Sequence, residues 1–290
     1  MIAVDRGHEG FCLADPLFYD DPARARDDDV DFAAAHLPLP PGWRSVEFED
    51  WLAYGPPGQE HLPTQGWKLH ISTTVEGAAE VLSIVRAYCL GHDLAFKFVR
   101  SAQLLLLANG KYAHRGSSGK FVTLYPADDA AFERVATDLD TLLGGRPGPY
   151  ILSDLRLGAG PVYVRYGGFT DRWCIGPDGE LVPAIEAPGG GLVPDRRGAT
   201  FHLPSWVELP RFLQPHVDAR AAMTVVDLPY RIVRPLHFSN GGGVYLAEEI
   251  EGGRTVVLKE ARPHAGLAMD GSDAVARLHR ERDMLGLLAG

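Results

Sequence analysis

Gln65-Gly66-Trp67-Lys68-Leu69-His70-Ile71-Ser72 changes character at every step. Trp67, Leu69 and Ile71 fall on one side of an extended chain, and Lys68, His70 and Ser72 fall on the other. The period of two predicts a strand that buries its apolar row and presents an ammonium and an imidazole side by side. Leu94-Ala95-Phe96-Lys97-Phe98-Val99 repeats the pattern, with Phe96 and Phe98 opposite Lys97. Between the two, Val75, Ala78, Ala79, Leu82, Val85 and Cys89 recur at helical spacing, and Thr73-x-x-Glu76 has the form of a capping box. The reading is strand, helix, strand, which returns Lys97 toward Lys68 and His70 in one sheet.

The charge distribution sharpens this. The chain has 28 Lys and Arg against 38 Asp and Glu, for a net charge of -10 at pH 7. Yet Leu94 to Ala127 holds no carboxylate and carries Lys97, Arg100, Lys111, Arg115 and Lys120. A local field of one sign in an acidic chain suits capture of a small anion such as a phosphoryl group. Nucleic acid is not an expected partner, because no basic and aromatic stripe runs along the chain. No apolar run approaches membrane-spanning length, and Met1 to Gly7 lacks a signal-peptide pattern, so cytoplasm is the expected compartment. Cys12, Cys89 and Cys174 are odd in number and far apart, and read as reduced and structural; the 11 histidines form no HExxH motif, so no metal site is expected.

Further along, Phe121 to Tyr125 reads as a strand and Asp129 to Leu143 as a helix stopped by Gly144-Gly145. Val162 to Tyr166 is another strand, with Arg165 opposite Val162, Val164 and Tyr166. The first forty residues, with Pro16, Asp27-Asp28-Asp29 and the Pro38 to Pro41 tract, read as an irregular arm. The expected class is α+β, with a domain over 1–225. A new pattern then starts at 226–290: the turn Gly241-Gly242-Gly243 between strands, a strand Thr255 to Glu260 carrying Lys259, and a helix carrying Glu281. Glycine turn, strand lysine and helix glutamate in that order resemble the beginning of a protein kinase N-lobe, where they would hold nucleotide phosphates.

Read together, Gly66 to His70, Lys111 to Phe121, Gly148 to Arg156, Tyr163 to Phe169, Phe11 to Asp20 and the kinase-like tail resemble the N-terminal part of a class III lanthipeptide synthetase, a lyase–kinase–cyclase fusion. That resemblance implies a first domain similar to bacterial effector phosphothreonine lyases, a mixed sheet with flanking helices, followed by a truncated kinase N-lobe. It implies removal of phosphate from phosphoserine or phosphothreonine of a precursor peptide by β-elimination, giving dehydroalanine or dehydrobutyrine. By the same resemblance Lys97 abstracts the α-proton, Lys68 and His70 form the Lys-x-His strand, Arg115, Arg156 and Arg165 bind phosphate, and Tyr125 positions. No cofactor is implied for the lyase; ATP and magnesium belong to the complete kinase domain. The remaining kinase and cyclase parts are the implied partners.

The chemistry asks for the same residue types. Elimination needs a base for a weakly acidic proton, a cation for the charge growing on the amide oxygen, and an acid for the departing phosphate. Lys97, Lys68 and His70 fit those roles in turn, provided that Lys97 is held neutral by neighbouring cations and His70 is kept protonated by the bound dianion. By pattern alone, Lys68 and Lys97 also read as solvated strand lysines, His70 as a surface histidine, Arg156 and Arg165 as ion-pair partners, and Gly241 to Gly243 as an ordinary hairpin turn. An inactive phosphopeptide-binding module is the alternative function, and a working kinase is not expected from a chain without a C-lobe.

Overall fold

The computed structural model describes residues 30–59, 62–116, 118–222 and 228–288. Cys12, Pro16, the acidic run at 27–29, the Phe11 to Asp20 match, Ser117 and the expected boundary at 225 lie outside the described residues. Among the described residues a 3-10 turn at Ala33–His36 leads into a hairpin, β1 (Arg44–Phe48) and β2 (Trp51–Gly55), followed by β3 (Gln65–Ile71), α1 (Ala78–Gly91), β4 (Ala95–Val99) and α2 (Ala102–Asn109). Next come β5 (Val122–Tyr125), α3 (Asp129–Leu143), β6 (Leu155–Arg156) and β7 (Val162–Gly168). A small sheet follows, β8 (Trp173–Ile175), β9 (Leu181–Glu186) and β10 (Leu192–Pro194), then α4 (Gln214–Ala222). The tail comprises β11 (Tyr230–Ser239), β12 (Gly242–Glu249), β13 (Thr255–Lys259) and α5 (Ala274–Leu288).

The main sheet has the order β1-β2-β4-β5-β3-β7-β6. All its pairings are antiparallel, which corrects the expected mixed sheet. The crossover from β3 through α1 to β4 was read correctly, but β5 enters between the two strands and pairs with both. Two strands that run the same way therefore never share a ladder.

One face of this sheet is the core. Trp67, Leu69, Ile71, Phe96, Phe98, Leu124 and Val164 pack against Val81, Leu82 and Val85 of α1 and Phe132, Val135 and Leu139 of α3. Trp67 stacks on Phe132 with centroids 5.2 Å apart. Each such side chain contributes about 1.5–3 kcal/mol by leaving water. Two local readings of α1 are corrected. It starts at Ala78 behind Gly77, and no side chain caps it. The Thr73/Glu76 capping box is absent, because Thr74 takes the job next door: its hydroxyl accepts from the Gly77 N–H at 3.2 Å, closing a turn before the helix begins. Val81, not Ala79, belongs to the buried stripe. In α3 the capping is local, with the Asp128 carboxylate accepting from Ala131 N–H at 2.8 Å.

The tail is a three-stranded antiparallel sheet, order β11-β12-β13, beside α5. Lys259 Nζ pairs with Glu281 Oε1, and Gly241 to Gly243 line a cavity of 190 Å³ together with both. A Cβ at Gly242 would stand 1.9 Å from the Glu260 carbonyl, so only glycine fits where the turn crosses β13. Polar contacts join the tail to the first unit. The Asn240 amide donates to the carbonyls of Asn109 (3.0 Å) and Gly110 (2.9 Å), and Arg262 donates to Tyr150 O at 2.5 Å.

Candidate active site

Opposed residues of antiparallel strands point the same way, so register assembles the second face of the main sheet. Lys97 on β4 lies opposite Thr123 on β5, and Thr123 lies opposite His70 on β3. One strand further, Lys68 lies opposite Arg165 on β7. Tyr125 shares this face two residues beyond Thr123. The face is not open to solvent, as the alternation suggested. Lys68, His70, Thr123 and Arg165 are all buried, because the β7–β8 connection, β9 and the segment after β10 fold over them. What remains is a cleft of 290 Å³ lined by Lys68, His70, Lys97, Lys120, Tyr125, Arg165 and Arg197, with Trp51, Phe169 and Trp173 around them.

His70 Nδ1 lies 2.5 Å from Asp154 Oδ2. Burial disfavours a charge on Asp154, but His70 and Lys120 overcome it and hold the carboxyl well below its usual range. An ionised carboxylate only accepts, so Nδ1 carries the proton and donates, leaving Nε2 as the ring's acceptor. Burial pulls His70 down to about 3 against the opposing pull of Asp154, with Lys120 and Lys68 adding to the fall. The imidazole is therefore neutral with its proton on Nδ1, and a second proton on Nε2 requires a negative charge close by.

Lys97 is lowered to about 8, first by burial and then by Arg197, while Asp171 opposes. Burial, rather than the neighbouring cations expected from sequence, is the main cause. Its ammonium also faces the rings of Trp51 (4.6 Å) and Phe48 (5.2 Å). Lys68 is pulled well below its ordinary value by burial and by Arg165, and donates to Gly168 O at 2.7 Å. Arg165 is clamped by Asp195, which Arg197 also reaches at 3.2 Å. Asp195 stays ionised despite burial because Arg165, Lys68 and Arg197 surround it.

Of the predicted set, Lys68, His70, Lys97, Tyr125 and Arg165 line one cleft. Arg115 and Arg156 do not line it. The Arg115 guanidinium lies 4.5 Å over the Phe238 ring of the tail. Arg156 donates to Gly160 O at 2.8 Å and to Ala159 O, closing its own loop. Lys120 and Arg197 of the cleft, and Asp154 behind His70, are among the residues that carried no assignment from sequence. Lys120, buried and lowered to about 8 chiefly by burial, is aimed by Asn109, whose Oδ1 accepts from Gly119 N–H (2.8 Å) and from the Ser118 hydroxyl (3.2 Å). Its only signal was membership of the carboxylate-free stretch. Asp154 lies within the Gly148 to Arg156 stretch, where nothing in the sequence gives it a role, and Arg197 has no signal. Gly241 to Gly243, Lys259 and Glu281 form a separate group in the tail. Among the described residues no cluster of His, Cys, Asp and Glu could hold a metal ion, and no helix is long and apolar enough to cross a membrane.

Fold and site thus define an α+β protein with antiparallel sheets and a buried, cation-lined cleft. Residues 31–223 match the family described as RamC, N-terminal domain, and the chain belongs to that family. It is 56% identical over 291 aligned residues to a protein of Streptomyces coelicolor named as a probable SapB synthase, across 99% of this chain. The chain spans 31% of that relative's length. Solved structures with partial likeness include the phosphothreonine lyase effector VirA (SpvC) of Chromobacterium violaceum, at 16% identity over 51% of this chain and 81% of that one, with a TM-score of 0.34. The phosphothreonine lyase OspF of Shigella flexneri matches at 17% identity over 56% and 91%, also with a TM-score of 0.34.

Proposed function

We propose that residues up to about the end of α4 form a phosphoserine/phosphothreonine lyase that acts on a precursor peptide of a lanthipeptide synthetase. The observation that carries this is the row Lys97, Thr123, His70 across three strands, with Lys68 and Arg165 beside it and Lys120 and Arg197 around the same cleft. A phosphoryl dianion entering this cation set adds counter-charge where Lys68, Lys97, Lys120, Arg165 and Arg197 outnumber Asp154, Asp171 and Asp195. It also raises His70 so that the ring can hold a second proton on Nε2.

Neutral Lys97 takes the α-proton. The electron pair of the Cα–H bond becomes the second Cα–Cβ bond as the Cβ–O bond to phosphate breaks. Lys68 balances negative charge on the amide oxygen, Arg165 and the other cations hold the phosphate, and His70 hands its proton to the leaving oxygen. The products are a dehydroamino acid residue and inorganic phosphate, with no water consumed. Substrate phosphorylation would fall to the completed kinase part, with ATP and magnesium, for which the tail offers Gly241 to Gly243, Lys259 and Glu281. The setting proposed for this reaction is the cytoplasm, where a kinase would supply the phosphorylated peptide.

The test is mass spectrometry of a synthetic phosphoserine peptide after incubation. A peptide that has lost the elements of phosphoric acid supports the lyase. Plain serine would indicate a phosphatase, and tight binding without turnover would indicate a binding module.

A further inference from the structure

The small sheet over the cleft carries an apolar row that the elimination chemistry does not use. Trp173 lies opposite Pro183, and Ile175 lies opposite Leu181, so all four share one face of β8 and β9. Trp173 and Pro183 line the cleft. Ile175 and Leu181 continue the row outward and are 67% and 64% exposed. Two residues of strand cover about 6.6 Å, the spacing of alternate side chains in an extended peptide. Single exposed aliphatics need no explanation, but a contiguous row leading out of a cleft marks a recognition surface.

We propose that this row is the docking strip for apolar side chains of the substrate peptide beside its phosphorylated residue. The proposal rests on the lyase reading and adds its sequence preference. Continuity decides the occupant: Trp173 and Pro183 line the cleft that would hold the phosphate among Lys68, Arg165 and Lys120, and the row runs on from them to Ile175 and Leu181. Among the described residues β8 is the edge strand of its sheet, paired with β9, so an extended segment has room along it.

Phosphate release would be measured on three substrates: a phosphoserine peptide with leucine and valine flanks, the same peptide with serine and glycine flanks, and capped phosphoserine alone. Wild-type protein should show a KM at least about tenfold lower for the apolar-flanked peptide. In the double variant Ile175→Ser/Leu181→Ser that advantage should vanish, with kcat and the other two substrates unchanged. Tenfold corresponds to about 1.4 kcal/mol, within reach of two buried aliphatic side chains. An unchanged thermal midpoint verifies folding, since both positions are exposed. Equal KM for both peptides in wild type overturns the proposal. So does an unchanged KM in the double variant, including the case where sedimentation shows that a second copy of the chain covers the row. If wild type releases phosphate from nothing, the lyase reading falls, and anisotropy titration of the two labelled peptides judges the strip alone: an apolar preference lost in the double variant upholds it, and no preference overturns it.

Discussion

Lys97 stands in the middle of β4 and Lys259 ends β13, and the protein treats the two strand lysines in opposite ways. Lys97 is sunk beside Trp51 and lowered to about 8 by burial, with no carboxylate bonded to it among the described residues. Lys259 sits in an ion pair with Glu281 whose side chains are 45% and 42% exposed. The contrast holds across the two units. The first buries a cluster of cations beneath a second sheet, where they alter one another's protonation; the second buries Arg262 where it meets the first unit but leaves β11 open, with Ile232, Val233, Leu236 and Phe238 exposed. Burial turns ordinary side chains into reagents, and solvent keeps the same side chains as tethers.

The largest expected effect tests this contrast directly. Lys97→Ala should cut phosphate release by about 10²- to 10⁴-fold, while Lys259→Ala stays within about twofold of wild type. A comparable loss in both would erase the distinction between the units. Asp195→Ala strands Arg165 and Lys68 without their buried counter-charge, and should cost about 3–5 kcal/mol in urea denaturation.

The pH profile is the next measurement. Lys97 is a base only when neutral, and it becomes neutral above its pKa of about 8. kcat should therefore rise with pH as Lys97 loses its proton and fall again once the anion-bound His70 loses the proton it donates, a bell rather than a plateau. Arg197→Gln removes one of the influences that lowers Lys97, so the rising limb should move to higher pH. A limb that stays in place assigns it to another group.

Asn240→Ala tests how the units touch. It removes two buried hydrogen bonds to Asn109 and Gly110 carbonyls, and Asn109 also aims the Lys120 segment. A loss of about 1–3 kcal/mol is expected, with a few-fold fall in turnover. Unchanged turnover would show that the cleft is indifferent to the tail. The smallest effect belongs to the exposed pair: Glu281→Ala should cost about 0.2–1 kcal/mol, because water screens what it removes.

Legibility followed the same divide. The alternation at 65–72 and 94–99 identified β3, β4 and the common face of Lys68 and His70, because strand period is a local property. The strand, helix, strand order was equally local. The insertion of β5 was not, since no residue of Phe121 to Tyr125 encodes which neighbours it will pair with. Arg115 and Arg156 had the right charge for phosphate and yet turn to Phe238 and to a loop carbonyl, because charge type carries no direction.

Taken alone, the chain's order of residues determined periodicity, the helices and strands that follow from it, and a concentration of cations in an acidic protein. Each of these depends on neighbours a few residues away. Tertiary structure alone decided which cations became reagents. It set Asp154 against His70 across 84 positions of sequence, brought Arg197 beside Lys97, and closed β8 to β10 over the sheet. Protonation answers to burial and to charges a few ångströms away in space, and neither distance is written in the spacing of residues along the chain.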